Sequence, residues 1–358
     1  MASLYLFCAE TLKEVKLLER RMRVGIPRAL SYYTFFPLWR VFLETLGAEV
    51  VVSKQTNRRI LEDGIKETVN DACIPIKVYH GHVFDLAGKV DYIFMPRMVS
   101  ADGKATFCPK FLGLPDMVRF ADVPLPTIID VRYNLKGLPG GLFRFFTAVA
   151  AALEIKNPLV VGRAALKAIS VQKKFERLLQ QGLKPVEALE VVFGKRKLQD
   201  YERSGLSEKW RGGKRVSVAL LGYPYAVYDP YISAGVYEKL CKLGVEVVTY
   251  EQIPLKEMRR YSKVLPQNFF WYYSNQVCWA GLYLLDRGDL VDGIIHVTAF
   301  GCGPDSMVDK TLELEAKHAG LPFLSLTIDE HTGEGGVQTR LEAFVDMLWA
   351  KQAKHRAG

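Results

Sequence analysis

Leu46-Gly47-Ala48-Glu49-Val50-Val51 recurs far along the chain as Leu243-Gly244-Val245-Glu246-Val247-Val248. Around the first copy, Arg23 to Ser53 reads as an apolar strand, an aromatic-rich turn, an amphipathic helix and a second strand, with Gly47 at the helix-to-strand turn. Arg215 to Thr249 repeats that plan: Tyr32-Tyr33 and Pro37 are expected to precede one helix, Tyr228 and Pro230 the other. Each half continues alike, with a third strand at Val90 to Phe94 or Val291 to Ile295 and a fourth at Pro126 to Asp130 or Pro322 to Ile328. Apolar strands alternating with helices imply a parallel sheet covered on both faces, with loops at the strand C-termini gathering ligands. The expected fold class is α/β: two Rossmann-like parallel-sheet domains from an internal duplication, joined by a helical segment. The expected divisions are an extension over 1–21, a first α/β domain over 22–140, a helical bridge and linker over 141–213, and a second α/β domain over 214–358. Pro158 to Gln181 and Pro185 to Gly194 carry helical periodicity within the bridge, and Ser204 to Lys214 reads as a polar, Gly-rich linker.

With 358 residues, 49% of them hydrophobic and 24% charged, the chain has the balance of a globular protein with ample core, which excludes disorder and collagen-like repeats. Lys and Arg outnumber Asp and Glu 48 to 39, but they are scattered, which favours anionic small molecules or acidic partners over nucleic acid. The most apolar stretch, Phe145 to Leu153, is too short to span a bilayer, so no membrane association is expected. Glu10 and Glu14 interrupt the apolar start, which argues against a secretory signal and for a cytoplasmic protein.

Six cysteines are too few for a disulfide scaffold in a chain of this size. Three have proline within two residues: Cys73-Ile74-Pro75, Cys108-Pro109 and Cys302-Gly303-Pro304. Proline suits the first turn of a helix, so these cysteines are expected at turns or helix starts, where orphan N–H groups and partial positive charge favour a thiolate. Cys73 is expected to open a helix running to about Leu86. Cys108 and Cys302 each fall between the third and fourth strands of their halves, so the duplication places them at related rims facing one cleft. Cys8, Cys241 and Cys278 lie in apolar, helical stretches and are read as packing residues. With no Cys-x-x-Cys pair, structural zinc is disfavoured. Three thiolates fit a 4Fe-4S cluster with one iron open, while ordinary turn cysteines remain the alternative.

The strings GIPRALSYYTFFPLWRVFLETLGAEVVVS, CIPIKVYHGHV, VDYIFMPR, FCPKFLGLPD, TAFGCGPDSMV and IDEHTGEGGVQTRLEAF resemble the 2-hydroxyacyl-CoA dehydratase and benzoyl-CoA reductase superfamily, most closely its uncharacterised CoA-enzyme-activase-related branch. The resemblance runs over about residues 22 to 350 and implies a 4Fe-4S cluster held by Cys73, Cys108 and Cys302 between two α/β domains. It also implies a homodimer or a related second subunit, electrons from an ATP-dependent iron–sulfur activator, and an acyl-CoA or other small oxygenated substrate. No segment is assigned to CoA binding. A non-catalytic cluster carrier, scaffold or electron-transfer subunit is the alternative role. Cys278 is the spare cysteine that aligns by the internal repeat with Cys73.

Polar neighbours of these motifs supply the remaining candidates. Lys77 and His80 follow Cys73 on one expected helix: Lys77 to offset cluster charge, and His80 or His82 to pass protons. Arg28 and Arg97 follow strands and suit an anion clamp. Asp305 and Ser306 are expected to cap the helix that runs to His318. Asp329 to Gly336 precedes a helix from about Val337 and is not a Walker loop, since no Lys-Ser/Thr follows its glycines.

Overall fold

The computed structural model describes residues 22–137, 140–201 and 216–357. The expected extension, with Cys8, and the expected Gly-rich linker lie outside them. Ten short strands are found among the described residues: β1 Arg23–Ile26, β2 Glu49–Val52, β3 Tyr92–Phe94, β4 Arg97–Ser100, β5 Thr127–Ile129, β6 Arg132–Asn134, β7 Ser217–Gly222, β8 Glu246–Val248, β9 Gly293–Ala299 and β10 Phe323–Ile328.

Two four-stranded sheets carry the fold, ordered β2-β1-β3-β5 and β8-β7-β9-β10. All pairings are parallel, with Val24 opposite both Val50 and Tyr92 in one sheet and Val218 opposite both Val247 and Gly293 in the other. The two halves thus share one strand order, as the repeated motif requires. Parallel strands need crossovers, and helices supply them on the sheet faces. β4 and β6 form a small extra parallel pair that the sequence reading did not foresee.

The repeated Leu-Gly element ends a helix in each half. Gly47 and Gly244 adopt φ of +97° and +73°, the left-handed conformation that stops a helix and turns the chain into the next strand. The first helix, Tyr32–Thr45, begins at its tyrosines rather than after Pro37, because Tyr32, Tyr33, Phe35 and Phe36 are buried and belong to its packed face. That face lies along the helix Pro158–Gln180, and Phe42 stacks on Phe146 at 4.3 Å. The final helix starts at Glu334, one turn ahead of the expected Val337.

One crossing sets the position of a helix that matters below. Helices Arg58–Lys66 and Ile74–Leu86 meet through Gly64 and Gly81, backbone against backbone. A Cβ on Gly81 would sit 1.8 Å from the Ile60 carbonyl oxygen, and one on Gly64 would sit 1.9 Å from that of Lys77. Neither neighbour can rotate away, since both are helical backbone. Gly81→Ala should therefore cost about 3 kcal/mol of stability, the upper end of overpacking costs, and lower the urea midpoint accordingly, whereas an unchanged midpoint would show that the helices separate freely.

Candidate functional site

In a parallel sheet ordered 2-1-3-4, ligands collect outside the carboxyl ends of strands one and three, where successive connections leave in opposite directions. β7 ends there at Gly222-Tyr223-Pro224-Tyr225, and β9 ends at Ala299-Phe300-Gly301-Cys302. In the other half, β1 leads to Pro27-Arg28, while the chain beyond β3 reaches Cys108.

Each Pro-adjacent cysteine is the N-cap residue of a helix: Cys73 of Ile74–Leu86, Cys108 of Pro109–Arg119 and Cys302 of Gly303–His318. Proline occupies the first or second helical position in all three, where its missing N–H costs nothing. The cap of the last helix is therefore Cys302 rather than Asp305 or Ser306. The Ser306 hydroxyl donates back to the Cys302 carbonyl at 2.9 Å, and Asp305 turns inward.

The three thiols sense one another. Burial raises the pKa of Cys302, and Asp305, Cys73 and Cys108 add to the rise. Burial also raises Cys73 and Cys108, with Cys108 contributing to the shift at Cys73. Backbone N–H groups oppose this at each helix start: Ile76 for Cys73, Lys110 and Phe111 for Cys108, and Asp305 for Cys302. Gly301 brings the second half against the first, its Cβ position lying 3.9 Å from the Cys73 Cα. Among the described residues no three His, Cys, Asp or Glu side chains are gathered as ligands of a single ion. A cubane makes no such demand, because it distributes its thiolates over separate irons. Three Pro-preset thiols at helix N-termini, one buried and two half-buried, fit that kind of group.

Two residues beside the thiols escaped sequence reasoning. Tyr225 is buried, stacks on Phe111 at 5.9 Å, and carries a pKa raised first by burial and then by the charges of Cys302, Cys108, Tyr223 and Cys73. Its position directly after Pro224 at the end of β7 was the available signal. Lys110 acts on both Cys73 and Cys108, pulling their pKa values down, while its Nζ donates to the Asp71 carbonyl at 3.3 Å.

Other expected residues are occupied elsewhere. Lys77, one turn into the Cys73 helix, is buried and ion-paired with Glu330 of the other half at 2.5 Å. Burial works to raise Glu330, but Lys77 outweighs it and holds the carboxylate below its usual range. His80 is buried with a lowered pKa, and its Nδ1 lies 2.9 Å from the Ile76 carbonyl oxygen. Burial drives His82 down to about 3, so it is neutral between the Ser53 and Thr56 hydroxyls, each at 2.9 Å. Arg97 is not a free anion clamp: Asp116 and Asp130 bind its guanidinium. Cys241 is exposed, one step beyond the inward Leu240 on its helix, and so is not a packing residue. Cys278 is fully buried in mid-helix with a pKa raised to about 12 by burial. The counterpart of Cys73 is Trp271, the N-cap residue of Tyr272–Asp286, so the expected alignment of Cys278 with Cys73 fails.

The model of the family described as CoA enzyme activase uncharacterised domain matches residues 23–253, well over half of the chain. The chain belongs to that family. Residues 285–348 match the 2-hydroxyglutaryl-CoA dehydratase D-component, and the two matches together support membership of the 2-hydroxyacyl-CoA dehydratase and benzoyl-CoA reductase superfamily. No curated protein matches. Among solved structures, a "putative phosphosugar isomerase" from Silicibacter pomeroyi DSS-3 is 12% identical, with 97% of this chain and 90% of that one covered and a TM-score of 0.19. A periplasmic binding protein/LacI transcriptional regulator from Alkaliphilus metalliredigens QYMF, complexed with D-xylulofuranose, is 10% identical over 86% of this chain and 96% of that one, with a TM-score of 0.18. No described helix is long and apolar enough to cross a membrane.

Beneath Cys302 lies a charged group with no sequence signature. His296, in the middle of β9 and fully buried, has Nδ1 2.6 Å from Asp309 and Nε2 3.4 Å from Asp305. Ser325 donates to the other Asp309 oxygen at 2.9 Å. Burial alone would lower the imidazole's pKa; the two carboxylates overcome it and raise it to about 9. A folded-state value above the unfolded one, about 6.5, gives stability that is complete below about pH 6.5 and is lost as pH rises through about 9. The stability difference between wild type and His296→Asn should therefore shrink by up to about 3 kcal/mol between pH 6.5 and pH 9.5. A difference constant over that window, read from urea midpoints, would remove the imidazolium.

Proposed function

We propose that Cys73, Cys108 and Cys302 hold a 4Fe-4S cluster through three thiolates. In this reading the protein is a low-potential reductase or 2-hydroxyacyl-CoA dehydratase-like component that accepts electrons from an ATP-dependent iron–sulfur activator. It works with a second subunit, identical or related, on an acyl-CoA or other small oxygenated substrate. The observation that carries the proposal is the placement of the cysteines. Three Pro-preset thiols cap three helices at the carboxyl edges of both sheets, and Cys302 lies within electrostatic reach of the other two.

When bound, such a cluster supplies one-electron chemistry and an iron free of protein ligands. The chain's own residues prepare its setting. Helix N-termini point N–H groups at anionic sulfur, and each carries partial positive charge. Lys110 adds a full positive charge beside Cys73 and Cys108. Buried Tyr223, Tyr225 and Tyr273, packed ring against ring, keep water from the second-half side. Lys77 fixes the Cys73 helix to the Glu330 segment, and His80, one turn further along, is the proton-handling candidate. The carrier or electron-transfer role draws support from the same two residues, since Lys77 is already paired and His80 is buried.

Anaerobically reconstituted protein should be brown and hold about four iron and four sulfide per chain. Replacing Cys73, Cys108 or Cys302 by Ser should strip most of that iron, because a hard hydroxyl oxygen is a poor substitute for a soft thiolate. Cys278→Ser and Cys241→Ser should keep it, with only the buried Cys278 costing stability, about 1–2 kcal/mol. Iron retained by all three Pro-adjacent variants would reject the assignment.

A further inference from the structure

A second place where the halves meet has the chemistry of a binding site and lies outside the cysteine cluster. Thr106 bridges to Trp271 as a one-residue parallel ladder, with Thr106 N donating to Phe270 O at 2.9 Å and Tyr272 N donating to Thr106 O at 2.7 Å. On this fixed floor opens a cavity of about 380 Å³, lined from the first half by Lys104 and Lys136 and from the second by Arg259, Phe270 and Trp279. Asp102 is the only carboxylate in its lining among the described residues, and its Oδ1 accepts from the backbone N–H groups of Lys104 and Ala105. Three cations against one anion leave the lining at +2. No carboxylate forms a salt bridge with Lys104, Lys136 or Arg259 among the described residues, unlike the paired Arg97 or Arg260.

Asp102 and Arg259 also line a second cavity of about 290 Å³, so the two adjoin across these side chains. This arm is walled by Phe35, Tyr133, Leu142 and Ile169, Gln172 reaches it from the long helix Pro158–Gln180, and the exposed Lys173 and Glu176 of that helix add one charge of each sign. Gln172 is 7% exposed. Its amide nitrogen donates to Thr34 O and Glu176 Oε1, at 2.9 and 3.0 Å, but its carbonyl oxygen has no donor among the described residues. Buried polar atoms are rarely left unmatched, and those that are need a reason. Unpaired cations at the mouth, an apolar wall inside and a waiting acceptor are complementary to one kind of molecule.

We propose that the two adjoining cavities together bind an amphipathic organic anion. Its phosphate or carboxylate head lies among Arg259, Lys104 and Lys136, its apolar body lies along Phe35, Tyr133 and Leu142, and a hydroxyl or N–H group donates to Gln172 Oε1. Arg259 is the group suited to a bidentate hold on either head, while the lysines contribute point charges. The proposal does not depend on the cluster.

Calorimetric titration with naphthyl phosphate, naphthoate, naphthol and inorganic phosphate tests it. Saturable binding of one or both aryl anions is expected, with naphthol and phosphate at least about tenfold weaker; the tighter head group identifies the ligand class. Arg259→Gln should weaken the aryl anion about tenfold, the loss of one charge-assisted contact. Lys89→Gln, on another face, should not. A hydroxynaphthoate should gain over naphthoate in the wild type but not in Gln172→Leu. Equal binding of naphthol and the anions, an unchanged constant in Arg259→Gln, or no saturable binding of either anion would each overturn the proposal.

Discussion

A carboxylate with no exposure holds the halves together. Asp229, after the first strand of the second sheet, accepts hydrogen bonds from the Thr56 and Tyr33 hydroxyls of the other half and from its own Tyr231 and Ile232 N–H groups. Burial raises its pKa, and those donors pull it back. The chain of partners extends inward: Arg28 N–H donates to Ser53, whose hydroxyl reaches His82 Nδ1, and His82 Nε2 faces Thr56. With His82 neutral, one arrangement satisfies every atom: Nε2 carries the proton and donates to Thr56, which donates to Asp229, while Ser53 donates to Nδ1. A buried polar network is specific because any partial break leaves an unmatched group. Asp229 therefore fixes how the carboxyl edge of one sheet faces that of the other, and with it the meeting of the three cysteine-capped helices.

That constraint explains why so much charge sits inside. The edge-to-edge meeting brings together thiols, buried tyrosines and the starts of helices whose first N–H groups act on the thiols. Such a centre favours negative charge, and Lys110 and the helix ends supply the complement. Around it, the protein balances each further charge locally: Lys77 with Glu330, Arg97 with Asp116 and Asp130, and His296 with Asp305 and Asp309. The lysines and arginine of the inter-half cavity stand outside that pattern, which is why they read as a ligand's counter-charge rather than as fold.

The parts of this arrangement visible in the sequence are those written in short spans. Strand runs, the glycines after helices and proline directly behind cysteine are local constraints, and the duplication let two copies be read against each other. Partners far apart in sequence left no such trace. Lys77 and Glu330 are separated by 253 positions, and Thr56 and Asp229 by 173. Arg97 looked free because Asp116 is brought to it only when the helix Pro109–Arg119 folds back over β4. His296 sits in an all-buried strand where nothing on either side signals a charge, since its carboxylates come from the helix packed across it. Cys241 misled because its helix is only seven residues long, too short for periodicity to fix which side faces in.

The duplicated frame offers four helix starts, of which three carry cysteine. Each half has a helix between its second and third strands and another between its third and fourth, and both begin at the carboxyl edge of the sheet. In the first half Cys73 and Cys108 hold the two N-cap positions; in the second the later one is Cys302 and the earlier one is Trp271. Trp271 lies next to the Thr106 bridge, where its backbone joins the halves instead of offering a thiol. A symmetric frame with four equivalent starts has thus been made asymmetric at one of them, and the two strand-one ends diverge in parallel: Pro27 is followed by Arg28, and Pro224 by Tyr225.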